Sequence, residues 1–148
     1  MSDGGLADLY QEVILEHSRH PRNFGPADDA NRSARGNNPL CGDRVTIHLK
    51  LDGDVIEDAR FEARGCAISL ASASMMTEMV KGKTEEEVRD LFERFHALVT
   101  GKTEAEEMGG LEVLAGVKDF PTRIKCATLP WHAMSAALEG SDDDVSTE

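Results

Sequence analysis

The chain has 148 residues, of which 40% are hydrophobic, so it is long enough for one compact domain with a single core. Its formal net charge of −12 argues against nucleic acid, because neutralising phosphates takes a surplus of Lys and Arg, and equally against an anionic membrane surface. The same charge favours solubility and docking on a basic partner surface.

The first residues show no targeting signal. Ser2-Asp3-Gly4-Gly5 has neither the positive nor the apolar segment of a signal peptide, and no apolar run in the sequence is long enough to span a bilayer. We therefore expect a cytoplasmic protein whose cysteines stay reduced. Because three cysteines cannot form a closed disulfide set, a metal site, a reactive thiol or inert buried side chains remain.

The first half of the chain predicts one helix and a β-hairpin. Residues 5–18 carry apolar side chains at helical spacing, which predicts an amphipathic helix ended by the breakers in "HPRNFGPADD". Apolar and polar side chains alternate over residues 45–51 and again over residues 59–64, which predicts two half-buried strands. Asp52-Gly53-Asp54 between them is a hairpin signal.

The second half predicts helices. After Gly65 the small residues of "AISLASASMMTEMVKG" predict a helix that packs closely on the sheet, and the capping box of residues 84–87 predicts the start of another. "TGKTEAEEMGG" predicts an exposed connection, and residues 111–117 form a short apolar segment. "KDFPTRIKCATLPWHAMSAALEG" predicts a last helix, opened by Pro121 and disturbed at Pro130.

These elements indicate an α+β fold in which helices pack on a small antiparallel sheet of about three strands. We expect one domain over residues 1–140. The acidic stretch "SDDDVSTE", residues 141–148, predicts a flexible tail.

Four side chains at the ends of predicted elements form a candidate metal site. Cys41 lies in the loop that enters the first strand, Cys66 where a strand gives way to a helix, and Cys126 early in the last helix. Asp43 follows Cys41 by two residues, so in an extended segment both side chains point to the same side. Three thiolates and one carboxylate suit tetrahedral zinc, or iron bound with sulfide.

Each of these residues also has an ordinary structural interpretation. A single cysteine is most often a core side chain, and Asp43 can be a turn aspartate that bonds its own backbone. Three cysteines at element boundaries, two of them beside glycine, favour the metal site. Cys66 at a helix N-terminus is also expected to ionise readily, since the helix dipole favours the thiolate.

A site with this ligand set requires cations nearby, because zinc with three thiolates and a carboxylate has a formal charge of about −2. Arg44, Arg64, Arg123 and Lys125 each lie within three residues of a proposed ligand. For Arg44 and Arg64, ordinary solvent-facing charge on a strand remains an alternative. Arg123 is the strongest candidate, since a mobile guanidinium there can pair with a ligand and assist its exchange.

Three motifs, "NNPLCGD", "ARGCAISLASASMM" and "RIKCATLPWHAM", resemble the IscU/NifU N-terminal family of iron–sulfur cluster assembly scaffolds, and most closely its SufU branch. The resemblance extends over about residues 6–138. In the IscU branch a histidine directly precedes the third cysteine, whereas this chain has Lys125 there. The long stretch that contains "TGKTEAEEMGG" is also SufU-like. The family's three cysteines and its aspartate match Cys41, Asp43, Cys66 and Cys126.

The resemblance implies a single SufU/IscU-like domain in which these four residues hold zinc. It implies a PLP-dependent cysteine desulfurase of the SufS type as partner, with Cys41 as the acceptor of persulfide sulfur and Arg123 assisting ligand exchange. An iron–sulfur assembly complex would receive the sulfur. The protein would then be a sulfurtransferase-like accessory protein rather than a stand-alone enzyme, with neither nucleic acid nor a membrane as partner.

Two alternatives remain open at this point. The same ligands can bind iron and assemble an iron–sulfur cluster on the chain itself, as a scaffold does. They can also form a structural zinc module that carries no sulfur.

Overall fold

The computed structural model describes residues 2–39, 42–103, 110–140 and 145–146, with side chains from residue 11 onward. The elements, in chain order, are α1 (Ser2–Arg19), β1 (Arg32–Asn38), β2 (Asp43–Asp52), β3 (Val55–Arg64), α2 (Ala67–Val80), α3 (Glu85–Val99), a 3₁₀ helix (Leu111–Asp119), α4 (Pro121–Glu139) and β4 (Val145–Ser146).

The predicted α+β architecture is confirmed. The sheet has the order β3-β2-β1-β4, and its three long strands pair antiparallel, as predicted. The pairing of Asp52 with Val55 confirms the predicted hairpin, whose loop is Gly53-Asp54. The two-residue strand β4 adds a parallel edge to β1 and makes the sheet mixed.

Strand β1 has no counterpart among the elements located from the sequence. Its sequence, RSARGNN, lacks the alternation of apolar and polar side chains that identifies a strand. The buried positions are Ala34, Gly36 and Asn38, because α4 packs directly on this strand. A Cβ at Gly36 would lie 3.0 Å from Leu129 Cδ1, so the small residue permits the close approach.

The core lies between the inner face of the sheet and helices α2 and α4, as the small residues of α2 predict. Ser72 of α2 ties the two helices together: its Oγ donates to the carbonyl of Ala127 at 2.6 Å and accepts from Trp131 Nε1 at 3.2 Å. Trp131 is fully buried and stacks on Phe92 and Phe95 of α3. The sheet contributes Val45, Ile47, Leu49, Ala59 and Phe61 to this core.

Helix boundaries follow the sequence signals closely. Thr84 and Glu87 form the predicted capping box, with bonds of 3.2 and 3.0 Å between each side chain and the other's backbone N–H. Pro121 opens α4 as predicted. The helix continues through Pro130 to Glu139, so the expected disturbance does not interrupt it; Pro130 only lacks the N–H that would bond the carbonyl four residues earlier.

Two sequence-based predictions lie partly outside the described residues. Residues 104–109 belong to the predicted exposed connection, so that connection stays a prediction. The division into a domain of residues 1–140 and a flexible acidic tail also stays a prediction, since residues 141–144, 147 and 148 are outside the described part. Within the described residues, no helix has the length and apolar character that a membrane crossing requires.

Candidate metal centre

Three of the four predicted ligands converge in the structure. The ligand atoms of Asp43, Cys66 and Cys126 all lie within 4.8 Å of one another. They come from the first residue of β2, the N-cap of α2 and the second turn of α4. Asp43 and Cys126 are buried, whereas Cys66 is partly exposed. The fourth predicted ligand, Cys41, lies outside the described residues.

The Asp43 carboxylate is held by the turn that joins β3 to α2. Its Oδ1 accepts a hydrogen bond of 2.9 Å from the backbone N–H of Cys66, and its Oδ2 lies 3.6 Å from Cys66 Sγ. Asp43 therefore does not act as a turn aspartate that bonds its own backbone. Its carboxylate instead links two separate elements. This bond fixes the carboxylate beside the sulfur.

Gly65 makes this arrangement possible. Its φ is +149°, a conformation that residues with a side chain rarely adopt. A Cβ at this position would overlap Asp43 Oδ1 and lie 2.9 Å from Asp43 Cγ. Gly65 was not among the site residues predicted from the sequence. The signal was present, as a glycine directly before a cysteine where a strand passes into a helix.

Cys66 acts as the N-cap of α2 through its sulfur. Its backbone is extended, and Sγ accepts from the backbone N–H of Ser69 at 3.5 Å. A hydroxyl or carboxylate oxygen usually occupies this role, and the positive end of the helix dipole favours negative charge there. The predicted placement of Cys66 at a helix N-terminus is thus confirmed.

The two thiols of the site differ in pKa. A hydrogen bond from Cys126 and the Ser69 N–H lower the pKa of Cys66 to about 7, against the opposing effect of burial. The hydrogen bond to Cys66, together with burial and the nearby Asp43, raises the pKa of Cys126 well above its ordinary value. In the metal-free protein Cys66 is therefore the thiol that ionises first, and Cys126 keeps its proton to higher pH.

The geometry fits a tetrahedral zinc ion. Zn–S bonds of about 2.3 Å and Zn–O bonds of about 2.0 Å give a sulfur–oxygen edge of about 3.5 Å and a sulfur–sulfur edge of about 3.8 Å. The observed separation of Cys66 Sγ and Asp43 Oδ2 is 3.6 Å, and every separation in the group is below 4.8 Å. Two sulfurs and one carboxylate oxygen thus supply three corners of a zinc site.

The predicted cations do not surround these ligands equally. Arg44 and Arg64 are exposed and face each other across β2 and β3. Successive residues of a strand point to opposite faces, so Arg44 lies on the face away from the buried Asp43. Lys125 is partly buried in α4.

Arg123 lies exposed in the first turn of α4, three residues before Cys126. Its side chain makes no hydrogen bond or ion pair with any residue in the described part of the chain, and its role in ligand exchange stays a prediction. It lines a groove of about 580 Å³ together with the exposed Phe120 and with Ala67 and Ile68, which follow Cys66 directly. The guanidinium is therefore exposed to solvent and borders a groove that also contacts the start of α2.

Comparisons with known proteins agree with this geometry. Residues 9–127 match the family model described as "NifU-like N terminal domain". Over 138 residues the chain is 46% identical to the zinc-dependent sulfurtransferase SufU of Bacillus subtilis, covering 92% of this chain and 93% of that protein. It is 44% identical to the iron–sulfur cluster assembly scaffold protein IscU of Streptococcus pyogenes, again over 138 residues, with 92% and 86% covered.

A solved structure has the same fold. The crystal structure of the SUF-system protein FiSufU from Fervidobacterium islandicum AW-1 superimposes with a TM-score of 0.80 at 36% sequence identity. The alignment covers 86% of this chain and 94% of that one.

Proposed function

Because the chain belongs to the family of NifU-like N-terminal domains, we propose that it is a zinc-dependent sulfur acceptor in iron–sulfur cluster assembly. It takes persulfide sulfur from a cysteine desulfurase of the SufS type and passes it to a cluster assembly complex. The observation that carries this proposal is the convergence of Asp43, Cys66 and Cys126 in a chain 46% identical to a zinc-dependent sulfurtransferase.

Asp43, Cys66 and Cys126 would hold the zinc, with Cys41 as the fourth ligand. Cys41 precedes Asp43 by two residues, so the chain keeps their Cα atoms within about 7 Å of each other. When bound, zinc supplies positive charge that keeps the thiols deprotonated at neutral pH. In the metal-free pair only Cys66 has a lowered pKa, so Cys126 gives up its proton on binding.

The transfer itself is thiol chemistry at Cys41. Its thiolate attacks the outer sulfur of the persulfide on the desulfurase, and a new sulfur–sulfur bond forms on Cys41. The old sulfur–sulfur bond breaks, and the desulfurase cysteine leaves as a thiolate. The sulfane sulfur moves with no net oxidation or reduction. A second exchange of the same kind hands it to the assembly complex.

Arg123 supports the exchange as a mobile cation. Its side chain is exposed, it borders the groove that begins directly after Cys66, and no described residue pairs with it. During transfer it pairs with the Asp43 carboxylate or with the thiolate of Cys41. It contributes positive charge that balances the negative ligands, and it does not serve as a proton acceptor, because the guanidinium has donors only.

A second candidate function is a scaffold that binds iron and sulfide at the same residues. The 44% identity to an IscU scaffold supports it, and two thiolates with a carboxylate suit iron as well as zinc. Lys125, where the IscU branch has histidine, favours the sulfur acceptor. A third candidate, a structural zinc module, uses the same ligands without any sulfur transfer.

Metal analysis and a desulfurase assay with Cys41→Ala separate these functions. The sulfur acceptor is colourless as purified and contains one zinc, and Cys41→Ala abolishes its stimulation of desulfurase turnover. A brown protein with bound iron supports the scaffold instead. Full stimulation by Cys41→Ala, with an unchanged circular dichroism spectrum, would contradict the sulfur acceptor.

A further inference from the structure

Two arginines face each other at the end of the sheet that carries the candidate metal centre. Arg44 follows Asp43 directly, Arg64 precedes Cys66 by two residues, and the two are register partners across β2 and β3. Both are exposed, and neither makes a hydrogen bond or ion pair with a described residue. Like charges directly opposite each other destabilise a sheet, so this pair costs stability.

The rest of this sheet face is arranged differently. Every other basic side chain that β2 and β3 place on it is matched with a carboxylate among the described residues. The pairs are His48–Glu62 at 2.9 Å, Lys50–Asp29 at 3.3 Å, Lys50–Glu57 at 3.8 Å and Arg60–Asp58 at 3.4 Å. Basic side chains on this face are thus paired with carboxylates, except at the end nearest to the candidate metal centre.

The surface around the two arginines is concave. One hollow of about 530 Å³ is lined by Arg35, Asn37 and Arg44, and it reaches Gly42 and Asp43 at the metal centre. A second hollow of about 290 Å³ is lined by Arg44 and Arg64. Arg44 stands between the two hollows, so a projecting acidic segment can meet its guanidinium from either side.

We propose that Arg35, Arg44 and Arg64, the arginine patch, dock an acidic surface of the protein that donates the sulfur. This inference rests on the proposed function and names the contact by which the donor approaches. The chain carries a net charge of −12, so most of its surface repels an acidic partner. The arginine patch is positively charged, unlike most of the surface, and it adjoins the candidate metal centre. It therefore attracts an acidic donor to that end of the sheet.

An acidic protein fits better than the other anionic partners. A nucleic acid or an anionic membrane presents an extended array of negative charge, and a chain with 28 acidic and 16 basic residues repels such an array over most of its surface. A protein can place a few carboxylates in the two hollows and leave the remaining contact neutral. Two or three arginines suffice for such a local match.

The test compares two double variants that remove the same charge from different places. Arg44→Gln/Arg64→Gln removes the patch pair, and Arg60→Gln/Arg89→Gln removes two arginines that have carboxylate partners elsewhere, Asp58 and Glu85. The zinc-loaded chains are titrated against a SufS-type cysteine desulfurase at low and at high ionic strength. Association rate, half-maximal stimulating concentration and zinc content are measured.

For the patch variant we expect association to slow about tenfold at low ionic strength and to lose most of its salt dependence. The half-maximal concentration should rise by the same factor while zinc content stays unchanged. The matched control should behave like the wild type. The patch variant should also unfold at a higher urea concentration, because the like-charge pair is gone.

Equal slowing in both double variants would mean that net charge alone matters and would overturn the proposal, as would no slowing in either. A patch variant that is less stable and loses zinc would assign the arginines a structural role and overturn it too. If the wild-type chain fails to stimulate the desulfurase at all, the proposed function fails and this inference fails with it.

Discussion

Replacing Gly65 with alanine tests whether the Asp43 carboxylate must sit where the structure has it. The new Cβ would overlap Asp43 Oδ1 and lie 2.9 Å from Cγ and 3.0 Å from the backbone Cα of Asp43. The carboxylate can swing away, but the Cα belongs to the first residue of β2 and moves only with the strand. We therefore expect the variant to lose both the bond to Cys66 N–H and the position of a metal ligand.

The expected cost has two parts. An alanine at the Gly65 φ of +149° costs about 1–3 kcal/mol of backbone strain. Losing a hydrogen bond to a charged group costs about 1.5–3 kcal/mol more. The sum of about 2.5–6 kcal/mol is a large share of the free energy of unfolding of a whole domain, which is typically about 5–15 kcal/mol. Zinc affinity should fall by about a hundredfold or more. Even the loss of a group that only hydrogen-bonds a metal ligand lowers metal affinity about 10–100-fold.

Urea unfolding of the metal-free protein and zinc competition with a chelator measure the two effects. Gly25→Ala is the matched control, because Gly25 has a φ of +122° and no atom within 4 Å of its Cβ position. Gly25→Ala should lose only the free energy of unfolding that corresponds to backbone strain, and it should keep its zinc affinity. If Gly65→Ala binds zinc as tightly as Gly25→Ala, the carboxylate does not contribute to the metal site as we argue.

Four further predictions concern the thiols and the core. In a metal-free Cys41→Ser variant, thiolate absorbance should show one ionisation near pH 7, from Cys66, and none from Cys126 up to about pH 10. The lowered pKa of Cys66 means that the folded state releases a proton the unfolded chain still binds, so urea midpoints should rise from about pH 7 to about 8. Above about pH 8.5 the raised pKa of Cys126 has the opposite effect, because the unfolded chain then loses a proton that the folded state keeps. A flat profile between about pH 7 and about 8 contradicts the assignment. Zinc retention should fall as pH drops from neutral to about 4, and full retention there speaks against thiolate ligands. Ser72→Ala should cost about 1–3 kcal/mol and shift the fluorescence of Trp131, the only tryptophan, because the buried indole N–H loses its acceptor; unchanged stability and emission would show that the bond is dispensable.

The fold was predictable wherever a local signal existed. Periodicity, the capping box and the hairpin turn depend on residues close in sequence, so α1, the β2–β3 hairpin, α2, α3 and α4 follow from the chain itself. Strand β1 did not follow, because its inner side chains are small or polar. It is a strand because β2 supplies its hydrogen bonds and α4 covers Gly36.

Within the candidate site, the sequence by itself determined the kinds of donor atom and their positions at element ends. Three cysteines and an aspartate at the ends of elements favour a metal site over core packing, so Cys41, Asp43, Cys66 and Cys126 were candidate ligands before any geometry was known. Only the tertiary structure decided that the three meet within 4.8 Å, that Gly65 leaves room for the carboxylate, and that Arg44 faces away from Asp43. Distances between separate elements depend on how whole helices and strands pack, and no stretch of neighbouring residues encodes them.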